Sequence, residues 1–337
     1  LIIIFFKDPI IFLIQQFFKT SEETNTLINK YISIRILSAP AELMIYVFVG
    51  LYLGLQRTFI SSLIVSIFSF GNIIISIVLV IHFDLEILGV AAGTTIAAYL
   101  TVIIFLIFSY VQLKNKSQNK LTLKKIFNIK KLLNLLNINF DIFIRTILLT
   151  FSFLWLTYQG SKLGENYLAV NALMIQFIML ASFFLDAYAF STEAVIGYTI
   201  GKKSKNLFLE VVSNSFQLSI FSGLVISLIY LFTFREIINE LTDLEHIKFL
   251  SFNYIIWIII ITPIASICYQ FDGIFIGASQ TAEMRNGMII SVALFILSSQ
   301  FLISIFGNHG LWLSLLFFMI IRSITLNYYF NRILKKF

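Results

Sequence analysis

The sequence predicts an all-α polytopic membrane protein built from two pseudo-symmetric helix bundles, and two observations support this prediction. The first is composition: of the 337 residues, 59% are hydrophobic and 12% are charged, and the mean hydropathy is +0.93. Soluble domains are roughly half apolar and about a quarter charged. The second observation is an internal repeat, because the segment 31–58 recurs 223 residues later as 254–281.

The two copies of the repeat align without a gap. Identical residues occupy equivalent positions along the whole alignment: Tyr31/Tyr254, Pro40/Pro263, Tyr46/Tyr269, Phe48/Phe271, Gly50/Gly273, Gly54/Gly277 and Thr58/Thr281. The chain has only three prolines, so two at equivalent points of two apolar segments indicate duplication. One difference is informative: Val49 of the first copy is replaced by Asp272 in the second.

Nine apolar runs reach about 20 residues, the length that crosses a bilayer. They cover 31–56, 58–81, 87–111, 139–163, 166–199, 207–233, 247–277, 286–306 and 310–331, and a partial run covers 1–18. The chain begins without an initiator methionine or a signal peptide, so we expect an N-terminal truncation. With six helices in each half and twelve in the intact protein, the two copies enter the membrane in the same sense and form a parallel repeat.

The predicted domains are an incomplete N-terminal bundle (1–111), a basic linker (112–137) that acts as a solvated hinge, and a six-helix C-terminal bundle (138–337). Basic residues are retained on the cytoplasmic side of membranes, which places the linker in the cytoplasm. Alternation along the chain puts further basic residues on the same face: Arg57, Lys202, Lys203, Lys205, Arg285, Arg332, Lys335 and Lys336. The net charge of +7 is explained by this topology and by anionic lipid headgroups, so we predict no nucleic-acid partner.

Ionisable residues inside the predicted spans are the candidates for function, since each costs about 2.5–3.5 kcal/mol at a helix centre on insertion scales. Asp272 is the first candidate, for cation coupling or substrate binding. Asp186 and Glu193 lie two turns apart on one predicted helix, so they share a face. We expect both to face a cavity; the alternative is that they anchor neighbouring helices through hydrogen bonds to hydroxyl groups.

Weaker candidates form two local patterns and one isolated charge. A polar stripe beside Pro40 is formed by Arg35, Ser38, Glu42 and Tyr46. In it Glu42 either neutralises Arg35 or takes part in transport. A second pattern, Asp141 with Arg145, has the spacing of a local pair at a helix start.

Arg322 has no acid nearby in sequence. Its partner must therefore come from another helix, and Asp272 is one option.

Enzyme and metal signatures are absent from the sequence. There is no HExxH, no aspartate cluster for a diphosphate and no P-loop, and the three histidines (His82, His246 and His309) lack metal-ligand spacing. The single cysteine, Cys268, excludes intramolecular disulfides. We therefore predict a protein that is not an enzyme and has no cofactor. A channel would need a ring symmetry that two copies in one chain do not provide.

Five segments, taken in order, carry a resemblance to a known family: 34–56, 141–149, 182–201, 269–288 and 307–322. They resemble the multidrug and toxic compound extrusion (MATE) family, specifically its DinF-like branch. The resemblance implies two six-helix lobes, with residues 1–111 as family helices 3 to 6. It also implies antiport driven by protons or sodium that exports organic, often cationic, compounds.

The same resemblance implies roles for particular residues. Asp272 matches the aspartate of the tenth family helix that is implicated in cation coupling, so it is the position where sodium would bind. Asp186 and Glu193 match acidic positions of the eighth helix. An aspartate that matters for coupling in the DinF-like branch lies on the first helix, which this chain does not contain.

The predicted function is export of a small organic compound across a bacterial-type inner (plasma) membrane by a monomeric, ion-coupled antiporter that uses alternating access. The alternative is a lipid or lipid-linked oligosaccharide flippase of the same two-lobe architecture. Such flippases carry more basic residues in their cavities. The buried acids match or outnumber the buried arginines here, which favours a cationic cargo.

Overall fold

The computed structural model describes residues 22–114, 128–335 and 337, together with the isolated positions 9 and 11. It divides into two compact units, Leu1–Thr122 and Leu123–Phe337, which are called unit 1 and unit 2 below. The division falls inside the predicted linker 112–137. Apart from positions 9 and 11, the predicted partial span 1–18 lies outside the described residues.

In the described residues, every regular element of both units is a helix, which confirms the predicted fold class. In unit 1 the elements are α1 (Glu22–Arg35), a 3-10 turn (Ile36–Ser38), α2 (Ala39–Gly54), α3 (Thr58–Ile81) and α4 (Glu86–Lys114). In unit 2 they are α5 (Ile129–Leu163), α6 (Glu165–Gly201), α7 (Lys205–Leu241), α8 (Glu245–Phe252), α9 (Ile255–Gly277), α10 (Thr281–Phe306) and α11 (Asn308–Leu334). Within the described ranges, nine segments are long and apolar enough to cross a membrane, with α1 and α2 counted as one.

The helices differ from the predicted spans at several ends: α1 begins at Glu22 and not at 31, and α7 ends at Leu241 and not at 233. Two further differences have a visible local cause. The helix expected to start at 139 begins at Ile129, inside the predicted linker, because Asn128 caps it: the Asn128 side chain accepts the N–H of Lys131 at 3.3 Å. The span expected over 247–277 is divided into α8 and α9, because the chain turns at 253–254, where the N–H of Tyr254 bonds to the Ser251 carbonyl at 2.9 Å. Both changes arise from local backbone hydrogen bonds that apolar composition does not reveal.

The backbone reproduces the internal repeat in detail. The turn after α2 contains Gln56 at φ 59°, and the turn after α9 contains Ser279, its repeat equivalent, at φ 52°. The following amides also bond alike: Arg57 to the Tyr52 carbonyl at 2.8 Å, and Gln280 to the Phe275 carbonyl at 2.9 Å. A left-handed non-glycine residue is uncommon, so its recurrence in one register supports the duplication.

The two repeat-related prolines have different consequences. Pro40 lies in the first turn of α2, directly after the 3-10 turn, where a missing N–H costs nothing. Pro263 lies inside α9 and leaves the Ile259 carbonyl without its helical donor. Ser227 of α7 supplies the replacement, since its hydroxyl donates to that carbonyl at 3.0 Å. The second copy is therefore one continuous helix, whereas the first is interrupted.

Helix α9 is central to unit 2 and packs against α6, α7 and α11. Two glycines bring it against the backbone of α6: a Cβ at Gly273 would collide with the Ala189 carbonyl, and one at Gly277 would lie 2.5 Å from the Glu193 carbonyl. Small residues four apart allow such close approach of helices in membranes. Asp272, next to Gly273 in the sequence, is thereby held in the interior of unit 2.

Candidate functional site

Asp272 is the centre of a three-helix ion cluster in unit 2. Its Oδ2 accepts hydrogen bonds from Arg145 of α5 and from Arg322 of α11. The side chains of Arg322, Asp272 and Arg145 are 3%, 8% and 17% exposed. Arg322 therefore takes the partner that the sequence offered as an option. Asp272 itself is doubly paired, not an isolated membrane carboxylate.

Other polar groups surround this cluster, which is called the Asp272 cluster below. Asp186 of α6 is half-buried and interacts electrostatically with Asp272 and both arginines. The Cys268 thiol, fully buried, donates to the Met319 carbonyl at 3.0 Å and lies 3.0 Å from the Ser323 hydroxyl. Asp186 has no hydrogen bond or ion pair with the described residues. The site thus combines two arginines, one paired carboxylate and one unpaired carboxylate.

The predicted local pair of Asp141 with Arg145 is wrong. Although the two residues lie one turn apart on α5, Asp141 accepts from the Thr281 hydroxyl at 3.0 Å and from Arg285, both of α10. Arg145 is instead bonded to Asp272 of α9. The reason is tertiary packing: Thr281 and Arg285 of α10 give the buried Asp141 carboxylate two donors, and Arg145 reaches the buried carboxylate of Asp272.

Glu193, the other acid of α6, lies apart from the Asp272 cluster. It is half-buried and has no ion pair among the residues described. One residue earlier, Thr192 accepts a hydrogen bond from Gln270 of α9 at 2.8 Å, while the Gln270 Oε1 is buried and has no partner in the described ranges. Glu193 therefore borders a polar contact between α6 and α9 and shares no bond with Asp272.

In unit 1 the predicted polar stripe is partly realised. Arg35 donates to Glu42 and to the Ser38 hydroxyl, and that hydroxyl donates to the Arg35 carbonyl at 2.6 Å. The three residues bridge the 3-10 turn between α1 and α2, which confirms that Glu42 neutralises Arg35. Tyr46 is exposed on the surface of unit 1 and does not join them.

Sequence reasoning missed several residues of the site. Arg285 is predicted as a loop base, yet it pairs with Asp141; Glu283, on the same helix, accepts from Arg332 at 3.0 Å. Thr281 could have been found from the sequence, because the repeat has a threonine at the equivalent position, Thr58. In the part of the chain that the structure describes, no group of three His, Cys, Asp or Glu side chains is arranged to hold a metal ion.

Charged side chains buried among apolar membrane-spanning helices are typical of transporters, because such residues mark ion and substrate pathways. The fold and the site thus define a polytopic membrane transporter. The sequence profile described as MatE matches residues 142–302. The chain is also 33% identical over 322 residues to DNA damage-inducible protein F of Escherichia coli (strain K12), covering 95% of this chain and 69% of that protein. The chain belongs to the MATE family, and this relative is the DinF-like protein that the sequence segments indicate.

More distant relatives and solved structures agree with this assignment. Protein DETOXIFICATION 43 of Arabidopsis thaliana is 24% identical over 297 residues, which are 88% of this chain and 55% of that protein. The crystal structure of the Vibrio cholerae MATE transporter VcmN in the bent form superposes with a TM-score of 0.85 at 18% identity, covering 99% of this chain and 75% of that one. A MATE structure in the straight conformation has a TM-score of 0.88 at 14% identity over the same shares. These structures share the fold.

Proposed function

We propose that the protein is a secondary active antiporter that exports small, cationic organic compounds in exchange for protons or sodium ions by alternating access. Membership of a family of ion-coupled transporters supports the class of activity. The charges of the described residues support two finer parts of the proposal, a cationic cargo and coupling to a cation.

The observation that carries the proposal is the balance of charges inside the helices. Five helical arginines are each paired with a carboxylate: Arg35 with Glu42, Arg145 and Arg322 with Asp272, Arg285 with Asp141, and Arg332 with Glu283. Asp186 and Glu193, on one helix, have no such partner in the described chain. Among the buried and half-buried side chains of the described helices, the unneutralised charged groups are therefore acidic, and acidic groups attract cations.

Ion coupling would follow from competition for Asp272. An incoming proton or sodium ion neutralises the same carboxylate that binds Arg145 and Arg322, and Asp186 beside it offers a second carboxylate. Arg145 is the more exposed of the two arginines, so it is the one that leaves. A membrane potential of 100 mV contributes about 2.3 kcal/mol for each charge moved, which is enough to drive substantial accumulation of cargo.

Transport in proteoliposomes tests this proposal. The full-length protein is expected to move ethidium, a fluorescent cation, when a proton or sodium gradient is imposed. Asp272→Asn and Asp186→Asn are expected to abolish the dependence on the gradient. Asp243→Asn, in an exposed position between α7 and α8, is the matched control and should behave as wild type. Undiminished coupled transport by Asp272→Asn would exclude this residue as the coupling group.

The same vesicles distinguish the antiporter from a flippase. A fluorescent phospholipid placed in one leaflet should redistribute no faster with the protein than without it. Acceleration of lipid movement, with no gradient-driven movement of ethidium, would favour the alternative function.

We further propose that the protein lies in a bacterial inner membrane as a monomer, with the linker 112–137 in the cytoplasm. The exposed turn at Lys202 and Lys203 is expected on the same side. A cysteine introduced at Lys203 should react with an impermeant maleimide only after cells are opened. The native Cys268 is fully buried, so it should not contribute to labelling.

A further inference from the structure

Asp141 and Arg145 are neighbours on α5 that are paired with different helices. Residues four apart on a helix face lie about 5–6 Å apart between their Cβ atoms, so either side chain can reach the other by rotation alone. In this structure Arg145 binds Asp272 of α9, while Asp141 binds Thr281 and Arg285 of α10. Arg145 therefore has a second carboxylate within reach on its own helix, in addition to Asp186, with which it interacts electrostatically but shares no hydrogen bond.

Arg145 is also the less firmly held arginine of the Asp272 cluster. Its side chain is 17% exposed, against 3% for Arg322. Its Nε is buried and has no hydrogen-bond partner among the described residues. If Asp272 lost its negative charge, Arg145 would lose its only hydrogen-bonded carboxylate in the described structure, which is unfavourable for a partly buried cation. Asp186 interacts with both arginines, so it does not serve Arg145 alone.

We propose that Arg145 exchanges its carboxylate partner, binding Asp272 when that residue is charged and Asp141 when it is neutralised. This inference rests on the proposed function only in taking Asp272 as the group whose charge changes during transport. When Arg145 turns to Asp141, Arg285 is displaced. Arg285 can leave because its side chain is 31% exposed and can be hydrated, and it retains its contact with the neighbouring Asn286.

The consequence is a connection between the membrane interior and the start of α10. Thr281 and Arg285 lie in the first turns of α10, directly after the turn that joins it to α9. The other charged or titratable groups that interact with Asp272 are Arg322, Asp186, Tyr269 and Cys268. None of these is bonded to Asp141 in the structure, so Arg145 is the residue that links the two sites. Asp141 and Arg145 are thus positioning residues for the coupling step.

The test is the reactivity of Arg285 toward phenylglyoxal, an arginine-specific reagent, measured by mass spectrometry on the full-length protein in lipid nanodiscs. Asp272→Asn imitates the neutralised state and should raise the rate of Arg285 modification severalfold. Asp141→Asn, which removes the partner directly, sets the upper limit. Arg332, paired with Glu283 and not involved in the exchange, is the internal reference and should keep its rate.

The double variant Asp272→Asn/Arg145→Gln shows whether Arg145 causes the release of Arg285. Without Arg145 nothing displaces Arg285, so its rate should return to the wild-type value. If Arg285 reacts as fast in the double variant as in Asp272→Asn, the gain comes from general loosening and the exchange is overturned. An unchanged rate in Asp272→Asn overturns it as well. The transport assay is separate, because Asp272→Asn could show partner exchange on labelling and still transport normally, which would contradict only the proposed function.

Discussion

Neutralising Asp272 should destabilise unit 2 more than removing either of its arginines. Asp272→Asn keeps the shape of the side chain but leaves two guanidinium groups without their counter-charge. Arg322, which is 3% exposed, cannot be rehydrated in place. Breaking a buried pair by removing one partner costs about 3–5 kcal/mol. We expect the lower part of this range, because Arg145 is more exposed and can reach Asp141.

The single arginine variants should lower the free energy of unfolding by less than Asp272→Asn does. After Arg145→Gln, Asp272 is still neutralised by Arg322, so the loss is that of one charged hydrogen bond, about 1.5–3 kcal/mol. Arg322→Gln should cost more than Arg145→Gln, because Arg322 is the more deeply buried of the two. Glu193→Gln is the control: with no ion pair to lose, it should change stability by no more than about 0.5 kcal/mol.

These differences can be measured by denaturant unfolding of the full-length protein in detergent micelles, followed by tryptophan fluorescence. A triple variant, Arg145→Met/Asp272→Leu/Arg322→Met, separates charge from packing. Replacing a whole buried ion cluster by apolar residues of similar volume is often neutral or stabilising, so the triple variant should be more stable than Asp272→Asn while lacking ion-coupled transport. A triple variant as unstable as Asp272→Asn would refute the reasoning, since the cost would then not come from unpaired charge.

Three further predictions use other parts of the structure. Gly273→Ala should lower the free energy of unfolding by about 1–3 kcal/mol through overpacking. Gly50→Ala is the control, because a Cβ at this repeat-equivalent position meets nothing described within 4 Å and should be tolerated. Equal unfolding midpoints of the two variants would contradict the close contact of Gly273 with α6. Asn171→Leu removes the acceptor of the Trp312 indole at 2.8 Å and should lower the unfolding free energy by about 1–3 kcal/mol, as measured by denaturant titration; an unchanged midpoint would count against this bond. The indole of Trp257 donates to Nδ1 of His309 at 3.0 Å, so His309→Phe, which removes this acceptor, should change the tryptophan fluorescence; an unchanged emission spectrum would count against this bond.

The sequence predicts the helices of this protein well because their signal is local. A run of apolar residues must cross the bilayer as a helix, so the spans and the repeat can be recognised from composition and register alone. The break at Tyr254 and the early start of α5 at Ile129 escape this reasoning. Both depend on single backbone or capping hydrogen bonds at the ends of apolar runs. The average hydropathy of a run does not show where such bonds form.

The candidate site is predictable only in part, because its partners come from distant parts of the chain. The replacement of Val49 by Asp272 identifies the acid, since the fold accepts a hydrocarbon at that position. Spacing also suggests the contact of Asp141 with Arg145, and here it misleads: helical spacing shows what can touch on one helix, while packing decides which contact forms. Arg285 lies too near a predicted loop to be distinguished from the topogenic bases.

The duplication preserved the backbone of the two copies but not their charges. The positions equivalent to Arg35 and Glu42 in the second copy are Ile258 and Ala265, and the equivalent of Asp272 in the first is Val49. The pair in unit 1 joins two residues on either side of one turn, so a change of charge at Glu42 affects only the contact between α1 and α2 at that turn. Asp272 is bonded to α5 and α11 from α9, so a change of its charge acts on three helices at once. A group that must convert ion binding into movement of a bundle needs such connections, which is why we propose Asp272, and not Glu42, as the coupling group in the described chain.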